Sequence, residues 1–467
     1  MSPAELEAVS RQSDRIAKST EHLKGLVMEP TVKRHSEAID LITGFVAKNR
    51  RLLYGGFAWQ LLEEAGSSGQ PPAPPQYMDV DFHSSTPIHD VKTLCDNLHG
   101  AGFKDVNAKN SIHEETYSIF LGAQKCCDIS YMPKMVVARL PVMLIKGYHI
   151  VHPKIMTIDV LKMLCTPVHS FWRLERTICR AQALFERHPI AIREDLALKA
   201  EPLTGDRPLA AQRAARDVML HQCGDSLMWV GAAAIEAYET NTDQLDDRGD
   251  TVLEAISVNF VSDVDRVVHS IATATGPPVV YTFQSFLGYM GKHVAVCLDG
   301  QVVARIFDGA NQGFTYRDAA LSGVPIRVAT FCTLVYHLLV LNLHAYTQRN
   351  PLVQGCTNMD LLRLLKARPS FDGSDPDVPP PSLDENGVFA EFQARCHGIT
   401  NSAHHAYLLR QIMKRVRTMS AMSSYRPGSP KASGGKVLHP DAYRFKNSSG
   451  NLVIVSEGDG CPWRRGD

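Results

Sequence analysis

The chain has 467 residues, 44% of them apolar, enough to fill the cores of two or three compact domains. Lysine plus arginine equals aspartate plus glutamate at 49 each, which excludes a global field drawing the protein onto nucleic acid or an anionic membrane; any such binding must come from local patches. Eleven cysteines, an odd number without CxxC or Cys/His ligand spacing, exclude a disulfide framework and a zinc site and fit a reducing compartment.

The opening "MSPAELEAVSRQSDRIAKSTEHLK" is polar and lacks the apolar core of a secretory signal, so the protein is expected to stay inside a cell. Residues 1–33 read as a polar helical lead. "RHSEAIDLITGFVAKN" keeps apolar residues at helical spacing, and "RLLYGG" reads as a strand stopped by Gly55-Gly56 before a helix. After the Pro-rich loop "GSSGQPPAPPQ" come a strand at "YMDVDFHS", a helix at "PIHDVKTLCDNLHGAG" and strands at "SIHEETYSIFLG" and "KCCDISYM", where Cys126 and Cys127 are ordinary strand residues. His113, Glu114 and Glu115 read as a strand end with exposed acids rather than metal ligands. The largely helical "LKMLCTPVHSFWRLERTICRAQALFERHP" closes a first domain, residues 34–190.

A linker with "EPLTGDRP" leads to a second domain, residues 191–365, whose folded part begins near Leu209. In it "HVAVCLDGQVVARIF" alternates on both sides of Asp299-Gly300, the signature of a two-residue hairpin. The apolar stretch from Val328 carries His337, Asn342 and His344 and reads as a buried helix rather than a membrane span. Residues 366–467 form a C-terminal extension with Pro/Gly/Ser-rich loops, one of them acidic at 371–386. Helices and strands alternate without the spacing of a doubly wound parallel sheet, so the expected class is α+β, mixed sheets with helices packed on them.

Asp79 and Asp81 lie two apart on a strand, and the period of two sends both to one face. Carboxylates that close repel unless a cation sits between them, and the natural occupants are divalent, oxygen-seeking ions shared with substrate phosphates. Asp128 supplies a third acid from a strand whose neighbours Cys127 and Ile129 can face the core. Bare amides of Gly55 and Gly56 at a helix N-terminus can approach a triphosphate. Taken singly, Gly-Gly before a helix is also an ordinary turn and DxD also a solvated strand; the ordered set points to phosphoryl or nucleotidyl transfer.

That ordered set resembles the polymerase-beta-like nucleotidyltransferase superfamily, and within it the poly(A) polymerase catalytic subunits of large nucleocytoplasmic DNA viruses. The residues that carry the resemblance are "LYGG" at Leu53–Gly56, Asp79 to Asp81, "DISYMP" at Asp128–Pro133 and His152-Pro153. "FQSFLGYMGKHVAVCLDGQVVARIFD" from Phe283 and "YRFKNSSGNLV" from Tyr443 are similar to later motifs of the family. The first residue after the glycines is Phe57, where many other nucleotidyltransferases place a serine, so no hydroxyl there helps hold phosphate.

The resemblance implies a catalytic nucleotidyltransferase domain at 34–190 followed by a second, degenerate and inactive copy at 191–365. It implies template-independent addition of AMP from ATP to RNA 3′ ends, with Asp79, Asp81 and Asp128 holding two Mg2+ or Mn2+ ions. Gly55, Gly56, Lys154, Arg173, Arg176 and Arg180 are then the nucleotide-binding residues. Expected partners are an RNA 3′ end and ATP, with a homodimer or a small stimulatory or cap-modifying subunit and no membrane; the expected place is the host cytoplasm or the virion.

Two stretches are locally basic: nine Lys/Arg against three acids between Pro133 and Arg187, and eleven against four from Asn401 onward. Arg173, Arg176 and Arg180 share one helical face, a geometry suited to phosphates or to an ordinary solvated surface. In the second domain Asp263 and Asp265 form another DxD, with Asp299 and Asp308 near the hairpin, but no Gly-Gly helix start precedes them; this domain reads as scaffold and RNA platform. Two other readings stay open: another template-independent enzyme, of the CCA-adding or oligoadenylate synthetase type, and an inactive RNA-binding homologue.

Overall fold

Two short strands, each turning through a glycine of positive φ into a helix, organise the two halves of the computed structural model. It describes residues 12, 32–66, 79–111, 116–170, 173–240, 244–245, 249–309, 312–367, 396–397, 424–427, 445–446 and 452–453. The lead at 1–33 apart from residues 12, 32 and 33, the Pro-rich loop, His113 to Glu115 and the acidic loop lie outside these residues, as do most of the C-terminal basic stretch and of the terminal motif. By contacts the chain divides into two compact units, Met1–His152 with Leu409–Pro440, and Pro153–Leu408 with Asp441–Asp467.

The first unit begins with α1 (Val32–Lys48), β1 (Leu52–Tyr54), α2 (Gly55–Gly66), β2 (Val80–Ser84) and α3 (Pro87–Gly100). β3 (Val106–Asn110), β4 (Thr116–Leu121), β5 (Gln124–Tyr131), β6 (Val142–Ile145) and β7 (Tyr148–Val151) complete a mixed sheet ordered β3-β4-β5-β2-β1-β7-β6. Alternation along β2 decides its faces: Val80, Phe82 and Ser84 are buried, while Asp81 and His83 are half-buried on the other side. Ile42 and Val46 of α1, Leu94 and Leu98 of α3, and Val80, Phe82, Cys127 and Ile129 of the sheet supply the core. Burial of such side chains contributes about 1.5–3 kcal/mol each. Arg51 donates to Asp90 at 2.7 Å and neutralises that buried acid in the first turn of α3.

The second unit starts with α4 (Pro153–Cys165) and α5 (Leu174–Arg187), which by contacts group with it. It continues with α6 (Asp206–His221), β8 (Leu227–Val230), α7 (Gly231–Glu239), β9 (Gln244–Leu245), β10 (Leu253–Ser257) and α8 (Phe260–Thr275). β11 (Val279–Phe283), β12 (His293–Leu298), β13 (Gln301–Asp308), β14 (Phe314–Leu321) and β15 (Val324–Ala329) follow, then α9 (Phe331–Thr347) and α10 (Pro351–Ala367). The apolar segment from Val328 is thus largely the buried helix α9, and no helix of the described residues is long and apolar enough to cross a membrane. Asp299 and Gly300 both take positive φ, 49° and 79°, as the expected two-residue hairpin requires.

Strand order β11-β12-β13-β10-β8-β15-β14 repeats that of the first unit, with the same parallel and antiparallel neighbours. Registers repeat as well. Tyr54 faces Asp81 as Val230 faces Glu254, and Asp81 faces Asp128 as Glu254 faces Arg305. The second unit is therefore a copy of the first with other residues at the matching positions. Gly231, at φ 69°, starts α7 as Gly55 starts α2.

As expected, no Gly-Gly helix start precedes the later acids, but a Gly-Ala start does. A second expectation is corrected. Asp263 is not half of a strand DxD. It sits in the first turn of α8, fully buried, accepting from Ser226 at 2.5 Å and Ser257 at 2.6 Å, beside Arg266 at 3.3 Å; its counterpart is Asp90. Asp265 follows on the same helix. Asp263→Ala is expected to lower folding stability by about 3 kcal/mol, because two buried hydroxyls and a guanidinium lose their acceptor, without changing Mn2+ binding. Denaturant unfolding and Mn2+ titration check the two halves of that expectation.

Candidate active site

The register of three strands assembles the acids of the first unit. β2 runs parallel to β5 with Asp81 beside Asp128, so both side chains leave the same face of the sheet. Asp79 precedes β2 and, two residues before Asp81, points the same way. Ligand oxygens of Asp79, Asp81 and Asp128 all lie within 4.8 Å of one another. An all-carboxylate donor set at that spacing suits a hard divalent cation such as Mg2+ or Mn2+.

Neighbouring side chains fix the acids. Ser118, opposite Asp128 on β4, donates to its Oδ1. Beside it Ser130 shares hydrogen bonds with Tyr54 at 2.7 Å and Thr116 at 2.9 Å, a row of hydroxyls on the same face. Tyr54 stacks on His83 with ring centroids 4.2 Å apart. Desolvation pushes His83 down to about 3, so a neutral imidazole sits under that ring at physiological pH.

Gly55 answers for the bare backbone. Its φ is +72°, and a Cβ there would collide with Asp81 Oδ2. The glycine lets the first turn of α2 close directly over the carboxylate. Phe57, in the first turn of α2, contacts Tyr148 edge-on with centroids 5.8 Å apart, so the position without a hydroxyl has a packing role.

Lys125 was not foreseen among the site residues. Its ammonium bonds Asp79 Oδ2 and, at 2.8 Å, Asp128 Oδ2. Three residues from Asp128 on an ideal strand, it would point to the opposite face. Pairing instead jumps from Ile119 opposite Cys127 to Phe120 opposite Lys125, leaving Cys126 as the extra residue of a β-bulge that turns Lys125 back to the site. Burial works against the charged form, but Asp128 and Asp79 outweigh it and hold the ammonium above the usual lysine range.

The structure thus brings Asp79, Asp81, Asp128, Gly55 and Gly56 together within one unit. Lys154, exposed in the first turn of α4, belongs to the other unit, as do Arg173 at the cap of α5 and Arg176 and Arg180 on it. Arg173 and Arg176 are exposed and Arg180 is half-buried, while Thr177, Ala181 and Leu184 form the buried side of the helix.

Residues 40–170 match the family of poly(A) polymerase catalytic subunits. The matched stretch contains Gly55, Gly56, all three acids, Lys125 and Lys154. Over 97% of the chain and 82% of the relative, the protein is 24% identical to a protein of Acanthamoeba polyphaga mimivirus named as a poly(A) polymerase catalytic subunit. It is 27% identical to the similarly named protein of African swine fever virus (strain Badajoz 1971 Vero-adapted) over 33% of this chain and 34% of that one. The crystal structure of the Megavirus polyadenylate synthase superposes with a TM-score of 0.75 at 22% identity, covering 97% of this chain and 93% of that one. That superposition bears out the α+β fold, and the resemblance seen in the motifs agrees with the family match.

Gly55→Ala is expected to destabilise the protein by about 1–2 kcal/mol, through a side chain forced to positive φ, and to weaken Mn2+ binding at least about tenfold by displacing Asp81. Gly231→Ala, strained in the same way over Glu254, is expected to share the stability loss and keep Mn2+ binding. Thermal melts with and without Mn2+ separate the two.

Proposed function

We propose that the protein is a template-independent polynucleotide adenylyltransferase, adding AMP from ATP to RNA 3′ ends as in mRNA poly(A) tail synthesis. The observation that carries this reading is the convergence of Asp79, Asp81 and Asp128 on one sheet face beneath a glycine-started helix. The family match over residues 40–170 and the printed names of the viral relatives support adenylate as the nucleotide.

Two divalent ions, Mg2+ or Mn2+, held by the three carboxylates would neutralise the triphosphate and lower the pKa of the attacking hydroxyl. Asp79 and Asp81 orient the phosphate side of the reaction, and Asp128, fixed by Ser118, completes the site beside the RNA 3′ hydroxyl. That hydroxyl attacks the α-phosphate of ATP in line and pyrophosphate departs. Amides of Gly55 and Gly56 donate hydrogen bonds to the triphosphate at the N-terminus of α2. Lys154, Arg173, Arg176 and Arg180 contact phosphates of nucleotide or RNA, and residues 191–365 serve as scaffold and RNA platform. No protein nucleophile is required.

Incubation with an RNA primer, Mg2+ or Mn2+ and each nucleoside triphosphate separately tests the reading: tails should grow with ATP, and equal use of CTP would overturn the adenylate assignment. Asp79→Ala, Asp81→Ala and Asp128→Ala are each expected to slow tailing at least about a thousandfold, the loss of ~4 kcal/mol of transition-state stabilisation. Unchanged tailing would move the active site elsewhere. For the arginines, the double variant R176A/R180A is expected to weaken RNA binding and to flatten the log-log salt dependence by roughly one to two units, measured by fluorescence anisotropy.

A further inference from the structure

The Lys125 ammonium bridges Asp79 Oδ2 and Asp128 Oδ2, two of the three acids that could hold a divalent cation. The duplicated second unit supplies an internal control for what that lysine is for. Its β12–β13 hairpin carries a bulge at the same place: Val296 faces Ala304, Cys297 faces Val302, and Val303 is the extra residue. Register then matches Asp79 with Val252, Asp81 with Glu254, Ser118 with Ala295, Lys125 with Val302 and Asp128 with Arg305.

At those positions the copy has no acidic triad. Ala295, Cys297 and Val302 form a small apolar cluster with Val252 packed against it. Glu254, the one acid kept, is paired with Arg305 at 2.6 Å, with side chains only 9% and 17% exposed. The lysine has vanished together with the acids it would bridge, and a fixed guanidinium neutralises the remaining carboxylate. Bulge geometry alone therefore does not call for a cation; the pair of acids does.

The two cations also differ in how they can leave. Lys125 is 35% exposed and reaches the acids from the rim on a flexible four-carbon stem, whereas Arg305 is enclosed and planar. We propose that Lys125 is the resident counter-cation of the metal site: it holds Asp79 and Asp128 together before loading and is displaced by the incoming divalent ion, so that loading is an exchange of ammonium for metal. This rests on the metal-binding reading of the triad given above. Once displaced, the ammonium stays at the rim, where it can pair with an anionic substrate oxygen.

The full chain carrying Lys125→Met tests the exchange without nucleotide. Free Mn2+ measured by electron paramagnetic resonance should show binding roughly fivefold tighter than in the unsubstituted protein, the size expected when a partly exposed ion pair no longer competes. Without metal the variant should melt earlier, and it should gain more from Mn2+. Lys125→Gln provides the same comparison should Lys125→Met fail to fold. Unchanged or weaker Mn2+ binding by a folded variant overturns the exchange. Asp79→Ala/Asp81→Ala separates this failure from that of the site itself: if that protein still binds Mn2+ like the unsubstituted one, the triad is not the metal site at all.

Discussion

Carboxylates repel, and the backbone of a sheet is what holds three of them together. The parallel register of β2 and β5 puts Asp81 beside Asp128, and the chain entering β2 adds Asp79 to the same face. Each of these placements is enforced by the opposite face, where Val80, Phe82, Cys127 and Ile129 are fully buried. A one-residue slip would send the acids into that core and the core into water, so hydrophobic burial fixes the register and thereby fixes the charges. The site is a cluster of repulsions that the packing beneath it overcomes.

Relaxing that constraint once, within the same chain, shows its parts. The second unit keeps the strand order, the glycine of positive φ and even the hairpin bulge, yet it replaces two of the three acids with Val252 and Arg305. The backbone frame is thus stable without the triad. In one unit the face is polar and centred on a removable cation; in the other it is closed by an apolar cluster and an enclosed ion pair. The same frame can serve chemistry or serve only as a scaffold, depending on a handful of side chains.

Much of the site was legible because its signals are local. Alternation in "YMDVDFHS" gave the strand and the shared face of Asp79 and Asp81, the glycines gave the start of α2, and Asp299-Gly300 gave a hairpin whose two positive φ values the structure displays. What was missed depended on pairing. Lys125 at three residues from Asp128 reads as facing away until the bulge at Cys126 is known, and a bulge is a property of two strands rather than one. Asp263 and Asp265 imitate a strand DxD in text, but a helix begins at Phe260 there and Asp263 serves buried hydroxyls. Gly231 went unnoticed because "VGAAA" lacks the doubled glycine, although a single residue without a Cβ is enough to pass Glu254.

The sequence by itself determined the identity and order of the chemical groups, the alternation that sorts each strand into a core face and a free face, and the buried character of α9. Those follow from periodicity and side-chain type, which are written along the chain. Tertiary structure alone decided which residues meet: the coincidence of the three carboxylates, the return of Lys125 to them, the seating of Asp81 under Gly55, and the equivalence of the two units. The reason is that strand register and bulges are set by contacts between segments far apart in sequence, and no single segment contains the partner against which it will be aligned.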